Sequence, residues 1–410
     1  MTACRPTRNR PKPPKRVNGY EAHQKAVPFT LVDLFCGCGG YSWGFLFPDD
    51  GLARWKVLRG LDIDRNAVAT FNRNIGADIA RVADLGREDP WCHLEELGLK
   101  PGQLSCLHAS PPCEAYSVNN RKNGYGRDFR FRIALDWVKV FRPKIVTLEN
   151  VLRLQEWEEE IRTRLGVLDY EVDIFVLNSV NYGVPQFRKR LYYIAYDRSL
   201  GRSPSAPIPG HAHPERLNHG QKPWITVGQA IGDLPPREAG QGPDCFTSRL
   251  DPRNPAVRGK LGDYVALLRP KHGSQVANHS ARVLNELMQR RVEALRPGQA
   301  IADLPKELQP RMGFRGAYGR LDPDVPAKTI TTGVRGPSHG PFSHYKQNRL
   351  ITIREAARLQ SFSDTFVFQG GLDSQARQIG NAVPPLLATA LRGEFSRVLK
   401  KAAATPAAAT

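Results

Sequence analysis

The sequence predicts an α/β protein, built on a parallel sheet and carrying a second, smaller, loop-rich domain. Three observations lead there. From Phe29 to about residue 200, short β-rich apolar runs alternate with helical stretches, the pattern of a parallel sheet with helical crossovers. Residues 201–345 then hold 18 of the 33 prolines and 17 of the 36 glycines, with a net charge of +8, a composition that suits an irregular basic surface domain. Residues 346–399 return to helix-compatible sequence. Residues 1–28 have five prolines and a net charge of +6 and read as a flexible basic arm, whereas the Ala-rich stretch 400–410 reads as a frayed, disordered tail.

The whole chain of 410 residues has 59 Lys and Arg against 40 Asp and Glu, a formal net charge of +19. Such an excess calls for a polyanionic partner, nucleic acid first and an acidic membrane surface second. Seven cysteines at irregular spacing argue against a disulfide framework and for a reducing, cytoplasmic setting. No apolar run approaches the roughly 18 residues of a membrane span. The basic N-terminus lacks the apolar core of a secretory signal.

Candidate strands are Phe29–Phe35, Leu104–His108, Lys144–Leu148 and Leu191–Tyr196, and the first three run into polar or glycine residues at their ends. That is where open parallel sheets bind ligands. The first runs into Asp33-Leu34-Phe35-Cys36-Gly37-Cys38-Gly39-Gly40, whose glycines allow a sharp turn and a close backbone approach, with or without a ligand. A second candidate strand finishes at Leu61-Asp62-Ile63-Asp64, where an acid can accept hydrogen bonds from ribose hydroxyls, and a third segment ends at Asp84-Leu85. Each of these features taken alone is more often a helix cap or a solvated carboxylate. The fourth strand leads into Pro111-Pro112-Cys113, a thiol behind two prolines, to be read as a nucleophile or as a buried structural cysteine. The basic segment Ser117–Arg132 follows, with Arg121, Lys122, Arg127 and Arg130, and has the composition of a lid that grips phosphate. The fifth strand stops at Glu149-Asn150-Val151, and a carboxylate there is costly unless a site uses it. Last, Arg188 and Arg190 in Gln186-Phe187-Arg188-Lys189-Arg190 share one face of an extended chain.

Together these blocks resemble the DNA cytosine-5 methyltransferases, which use S-adenosylmethionine. The order is that family's: Asp33-Leu34-Phe35-x-Gly37-x-Gly39-Gly40, Pro111-Pro112-Cys113, Glu149-Asn150-Val151 and Gln186-x-Arg188-x-Arg190. Next come Arg349-x-x-Thr352-x-x-Glu355-x-x-x-x-Gln360-x-Phe362 and Gly380-Asn381-Ala382-Val383-Pro384-Pro385. The resemblance covers about residues 29–200 and 315–395. It implies the Rossmann-like sheet of S-adenosylmethionine-dependent methyltransferases, with residues 201–345 as the target-recognition domain and 346–399 as a hinge and return to the catalytic domain.

By that resemblance Cys113 adds to C6 of a flipped-out cytosine, Glu149 engages N3, and Arg188 and Arg190 surround O2. Phe35, Gly37, Gly39, Gly40, Asp62, Ile63, Asp84, Pro112, Asn381 and Val383 are then expected to contact the cofactor. Arg121, Lys122, Arg127 and Arg130 are expected to contact DNA. The implied partner is specific duplex DNA, bound by a monomer, with a cognate restriction endonuclease as a separate protein or with none. Cys245-Phe246-Thr247 is similar to a tripeptide of the tRNA-modifying branch, and a catalytically inactive DNA-binding protein is the further alternative. The chain departs from the family at Glu114, where Gln is common and where a negative neighbour raises the thiol pKa, and at Ser363, where Pro is common. Thr352-x-x-Glu355 fits a helix capping box. His211, His213 and His219, like Cys36-x-Cys38, lack the second ligand pair of a zinc site, so no metal is expected.

Overall fold

The computed structural model describes residues 29–47, 54–112, 130–249, 255–269, 272–311 and 316–404. Its centre is a seven-stranded sheet. In chain order the elements are β1 (Phe29–Leu34), α1 (Gly40–Leu46), β2 (Trp55–Asp62), α2 (Arg65–Asn74), β3 (Ala80–Val82), α3 (Pro90–Glu96) and β4 (Cys106–Ala109). Then come α4 (Arg130–Phe141), β5 (Ile145–Asn150), α5 (Glu158–Val167), β6 (Tyr170–Asn178) and β7 (Lys189–Asp197). The spatial order is β3-β2-β1-β4-β5-β7-β6. β1 to β5 are parallel, and β7 runs antiparallel between β5 and β6. The order reverses between β1 and β4, so the crevice beyond their carboxyl ends is the natural ligand position.

Local sequence explains the helix starts. Asp64 precedes α2 and accepts from the amides of Asn66 (2.8 Å) and Ala67 (3.2 Å), while Asp89 caps α3 with Pro90 at its first turn. β4 and β5 are buried along their whole length, and β1 from Leu31 onward, because both faces of the sheet are covered. One face packs on α3, α4 and α5 through Leu94, Trp137, Phe141 and Leu165. The other packs on α1 and α2, and on a helix from the far end of the chain, α11 below, through Phe45, Phe71, Leu387 and Phe395.

After β7 come β8 (His211–Ala212), β9 (Lys222–Pro223), α6 (Val227–Ile231), β10 (Phe246–Thr247), α7 (Pro255–Leu268, kinked at Gly262), β11 (Gln275–Val276) and α8 (Glu286–Glu293). The chain closes with α9 (Ile353–Leu359), α10 (Leu372–Asn381) and α11 (Pro385–Ala404). α11 lies on α1, where a side chain at Gly44 would collide with the Pro385 carbonyl and the Ala388 methyl. The helix runs through Lys400 to Ala404, beyond the point at which the tail was expected to fray. Thr352 and Glu355 form the capping box their spacing predicts, at the start of α9.

The loop-rich segment differs from the sequence expectation in one respect. Most of its apolar side chains do not form a core of their own. Val227, Ile231, Val265, Leu268, Ile330 and Phe342 share one core with Ile353, Leu359, Phe362 and Ile379, so the boundary drawn at residue 345 runs through a packed interior. A small separate cluster remains around Leu295, Leu304, Leu308 and Tyr318. A buried ion network crosses the same boundary. Arg358 is fully buried, donates to both Asp364 oxygens at 2.6 Å, and reaches Asp233 Oδ1 at 3.2 Å and the Ala230 carbonyl at 2.9 Å. Replacing Arg358 with Met strands the Asp364 carboxylate in the interior, and the expected loss is about 3–5 kcal/mol in a denaturant titration.

Candidate active site

The ends of β1, β2, β4 and β5 and the end of α10 enclose a cleft of about 390 Å³. β1 is followed by Phe35, a non-glycine residue with φ of 53°, and then by Gly37 at φ 52°. The strand therefore stops one residue earlier than its apolar pattern suggested, and a left-handed turn begins there. Such backbone strain is found where a turn must expose itself to a ligand. Gly37 donates its amide to Asp62 Oδ2 and Asp64 donates its amide to Asp62 Oδ1, both at 2.8 Å, so the acid at the end of β2 holds both loops. Burial pushes its carboxyl up, against the pull of those amides from Asp64 and Gly37. Ile63 stands at the rim, 68% exposed.

Asp33, one turn deeper, is fully buried on the same cleft wall. Burial pushes its carboxyl up to about 7, against the Ser42 hydroxyl, which donates to Oδ2 at 2.6 Å, and with Asp62 raising it further. Its Oδ1 has no hydrogen-bond partner among the described residues. Sequence reading used Asp33 only as the start of a motif. Its signal was a carboxylate in an otherwise apolar buried strand.

β4 leads through Ser110, whose hydroxyl donates to the Phe35 carbonyl at 3.2 Å, to Pro111 and Pro112 on the cleft wall. Asn150 Nδ2 donates to the Pro111 carbonyl at 2.9 Å, so the end of β5 fixes the end of β4. Cys113 follows at once in sequence. It lies outside the described residues, as do Arg121, Lys122 and Arg127. Arg130 is described, opens α4 exposed and lines the cleft.

Glu149 is the penultimate residue of β5, is 6% exposed and faces the cleft. Arg190 Nε lies 3.3 Å from its Oε1. Burial pushes the Glu149 carboxyl up, and Arg190 and then Arg188 partly offset that, so the group favours its protonated form more than an exposed glutamate does. Arg188 lines the same cleft, but its guanidinium also has structural work. It donates to the Ile330 carbonyl (3.2 Å) and the Gly380 carbonyl (2.9 Å). Gln186 accepts from the Ile330 amide at 2.7 Å and donates to Gln360 at 2.9 Å. The motif thus laces three distant segments together behind the cleft, which no local pattern reveals.

Of the other expected residues, Gly40, Asn381 and Val383 line the cleft, and Gly40 lies so close to the Val383 carbonyl that a side chain would not fit. Two differ. Gly39 does not line the cleft; at φ 90° it precedes α1, and Phe71 and Ile75 fill the place a side chain would take. Asp84 does not line it either. It is exposed beyond β3, accepts from the Gly86 amide at 3.2 Å and pairs with Arg87 at 3.3 Å, the behaviour of a turn cap.

Cys36 and Cys38 are buried and their thiols are pushed up by burial, so they pack rather than react. His211 packs on Gly183 and His213 meets the Trp224 ring edge-on at 5.1 Å. The cleft therefore offers an open glycine turn, an apolar rim at Phe35 and Ile63, hydroxyl acceptors at Asp62 and an unsatisfied buried carboxyl at Asp33. That donor set fits a nucleoside bearing a cationic chain, and S-adenosylmethionine has both parts.

Comparison with known proteins agrees. The family model for C-5 cytosine-specific DNA methylase matches residues 29–397. The type II methyltransferase M.DdeI of Desulfomicrobium norvegicum is 30% identical over 395 residues, covering 90% of this chain and 88% of that protein. The type II methyltransferase M1.HphI of Haemophilus parahaemolyticus is 30% identical over 377 residues, covering 89% and 86%. In fold, the chain is similar to a solved Escherichia coli prophage protein described as a DNA modification methyltransferase. The TM-score is 0.67 at 21% identity, over 91% of this chain and 99% of the other.

Proposed function

The chain belongs to the C-5 cytosine-specific DNA methylases and is a DNA cytosine-5-methyltransferase, and from that premise we propose that it methylates one cytosine within a specific duplex sequence through a covalent Cys113–C6 adduct. The observation that carries this reading is Glu149: a buried carboxyl at the end of β5, held by Arg190 and sharing its cleft with Pro112, the residue before the thiol. C5 of cytosine is a poor nucleophile. It becomes one when a thiolate adds to C6 and the displaced ring electrons are accepted at N3 along with a proton. Glu149, its carboxyl pushed up by burial, is the group placed to supply that proton. Arg190 holds Glu149 in place and meets the base at O2. Arg188 contributes a positive field and keeps the walls of the cleft in register.

S-adenosylmethionine, when bound, supplies an electrophilic methyl group on a sulfonium sulfur. Phe35, Gly37, Asp62, Ile63, Asn381 and Val383 would hold it, with Asp33 beneath. Cys113 leaves C6 once C5 has gained its methyl group and lost its proton. Because these atoms are unreachable inside a duplex, the target base is extruded into the cleft. Residues 201–345, with the 1–28 arm, are read as the DNA-gripping parts, which contact base edges in the major groove and phosphates. We read the chain as a monomer, with any cognate endonuclease a separate protein. Among the described residues no helix is long and apolar enough to cross a membrane.

Methyl transfer from labelled cofactor to DNA and to tRNA, run side by side, tests the substrate. Label is expected in DNA. Label in tRNA alone would replace this reading with the RNA-modifying one, and label in neither would favour an inactive DNA-binding protein.

A further inference from the structure

Arg377 is absent from every pattern that the sequence offered, yet it stands at the mouth of the cleft. Its neighbour Gln378 fixes α10 on α2: Thr70 donates to Gln378 Oε1 at 2.7 Å, and Gln378 Nε2 donates to the Gln369 carbonyl at 3.0 Å. The helix carrying Arg377 is thereby held, while its side chain remains 56% exposed. Arg377 Nη2 lies 3.7 Å from Asp64 Oδ2, too far for a hydrogen bond, so the guanidinium is attracted to this rim without being tied to it. Asp64 itself caps α2 with its other oxygen.

Beside Asp64, Ile63 leaves a branched apolar side chain largely open to water. A flat ring laid on Ile63 would cover it and would leave the ring's second face exposed. A guanidinium is planar and weakly hydrated, and it is attracted to π faces. We propose that Arg377 is a cofactor-binding residue, whose guanidinium stacks on the purine of the adenosyl group and closes the cleft at the Ile63 rim. This rests on the cofactor reading above. The asset is the plane of the group rather than its charge, and Lys does not supply it.

Calorimetric titration of the full-length protein with S-adenosylhomocysteine tests this without any turnover. Relative to wild type, Arg377→Ala is expected to raise the Kd by about 3- to 10-fold, and Arg377→Lys by a similar factor. The proposal is overturned if Arg377→Ala binds as wild type does. It is also overturned if Arg377→Lys restores full affinity, since that result makes the residue a bearer of charge only. Failure of the wild-type protein to take up the ligand would instead overturn the cofactor reading, and this inference with it.

Discussion

A Glu149→Gln enzyme is expected to retain its DNA affinity and to lose about 10²–10⁴-fold in the rate of methyl transfer. The substitution is nearly isosteric and Arg190 keeps its neighbour, so the cleft is preserved while the transferable proton is lost. The pH profile separates this from a mere loss of fit. With Glu149 as the proposed proton donor to N3, its protonated form is the active one, and burial raises its pKa. The single-turnover rate should therefore fall as pH rises through that raised value. The Gln variant should lack this limb. Equal single-turnover rates for the two proteins would remove Glu149 from the proton path.

The larger effect is expected from Cys113→Ala, which should abolish methyl transfer while cofactor binding is largely retained. Cys113 is outside the described residues, but its neighbour Pro112 lines the same cleft as Glu149, and Asn150 anchors Pro111. A duplex carrying 5-fluorocytosine gives a second readout. After addition to C6 and methylation at C5, elimination requires C5 to release its substituent as a cation, which hydrogen does and fluorine does not. Wild-type protein should remain covalently attached to such DNA, and the Ala variant should not. Undiminished turnover by Cys113→Ala would rule out the nucleophile.

How much of this was legible depended on how local each cause was. The strands, the capping box at Thr352 and the acids at the ends of β2 and β5 were readable, because periodicity and short-range hydrogen bonding fix them. The packing of Gly39 against α2 and the bond from Asp84 to the Gly86 amide were not legible from motif position, since each depends on how the following segment folds back. Arg188 was readable as part of a cleft but not as a brace. The carbonyls it holds, at Ile330 and Gly380, lie more than 140 residues away along the chain. Arg377 was invisible for the same reason, since only the docking of α10 on α2 brings it to the cleft rim near Asp64.

The excess of basic charge first pointed only to a polyanion, and much of it falls in residues 1–28 and 201–345 of the sequence. Among the described residues the cleft lining is balanced instead, with Asp33, Asp62, Asp64 and Glu149 against Arg130, Arg188, Arg190 and Arg377. That division matches a protein that holds a duplex with one region and works on one base with another. Bisulfite sequencing of DNA from cells expressing the protein tests this most directly, because it reports activity, atom class and sequence context at once. The account predicts 5-methylcytosine at one cytosine of a single recurring sequence, lost in the Cys113→Ala strain. Uniformly unmodified DNA from cells that make the folded protein would contradict it.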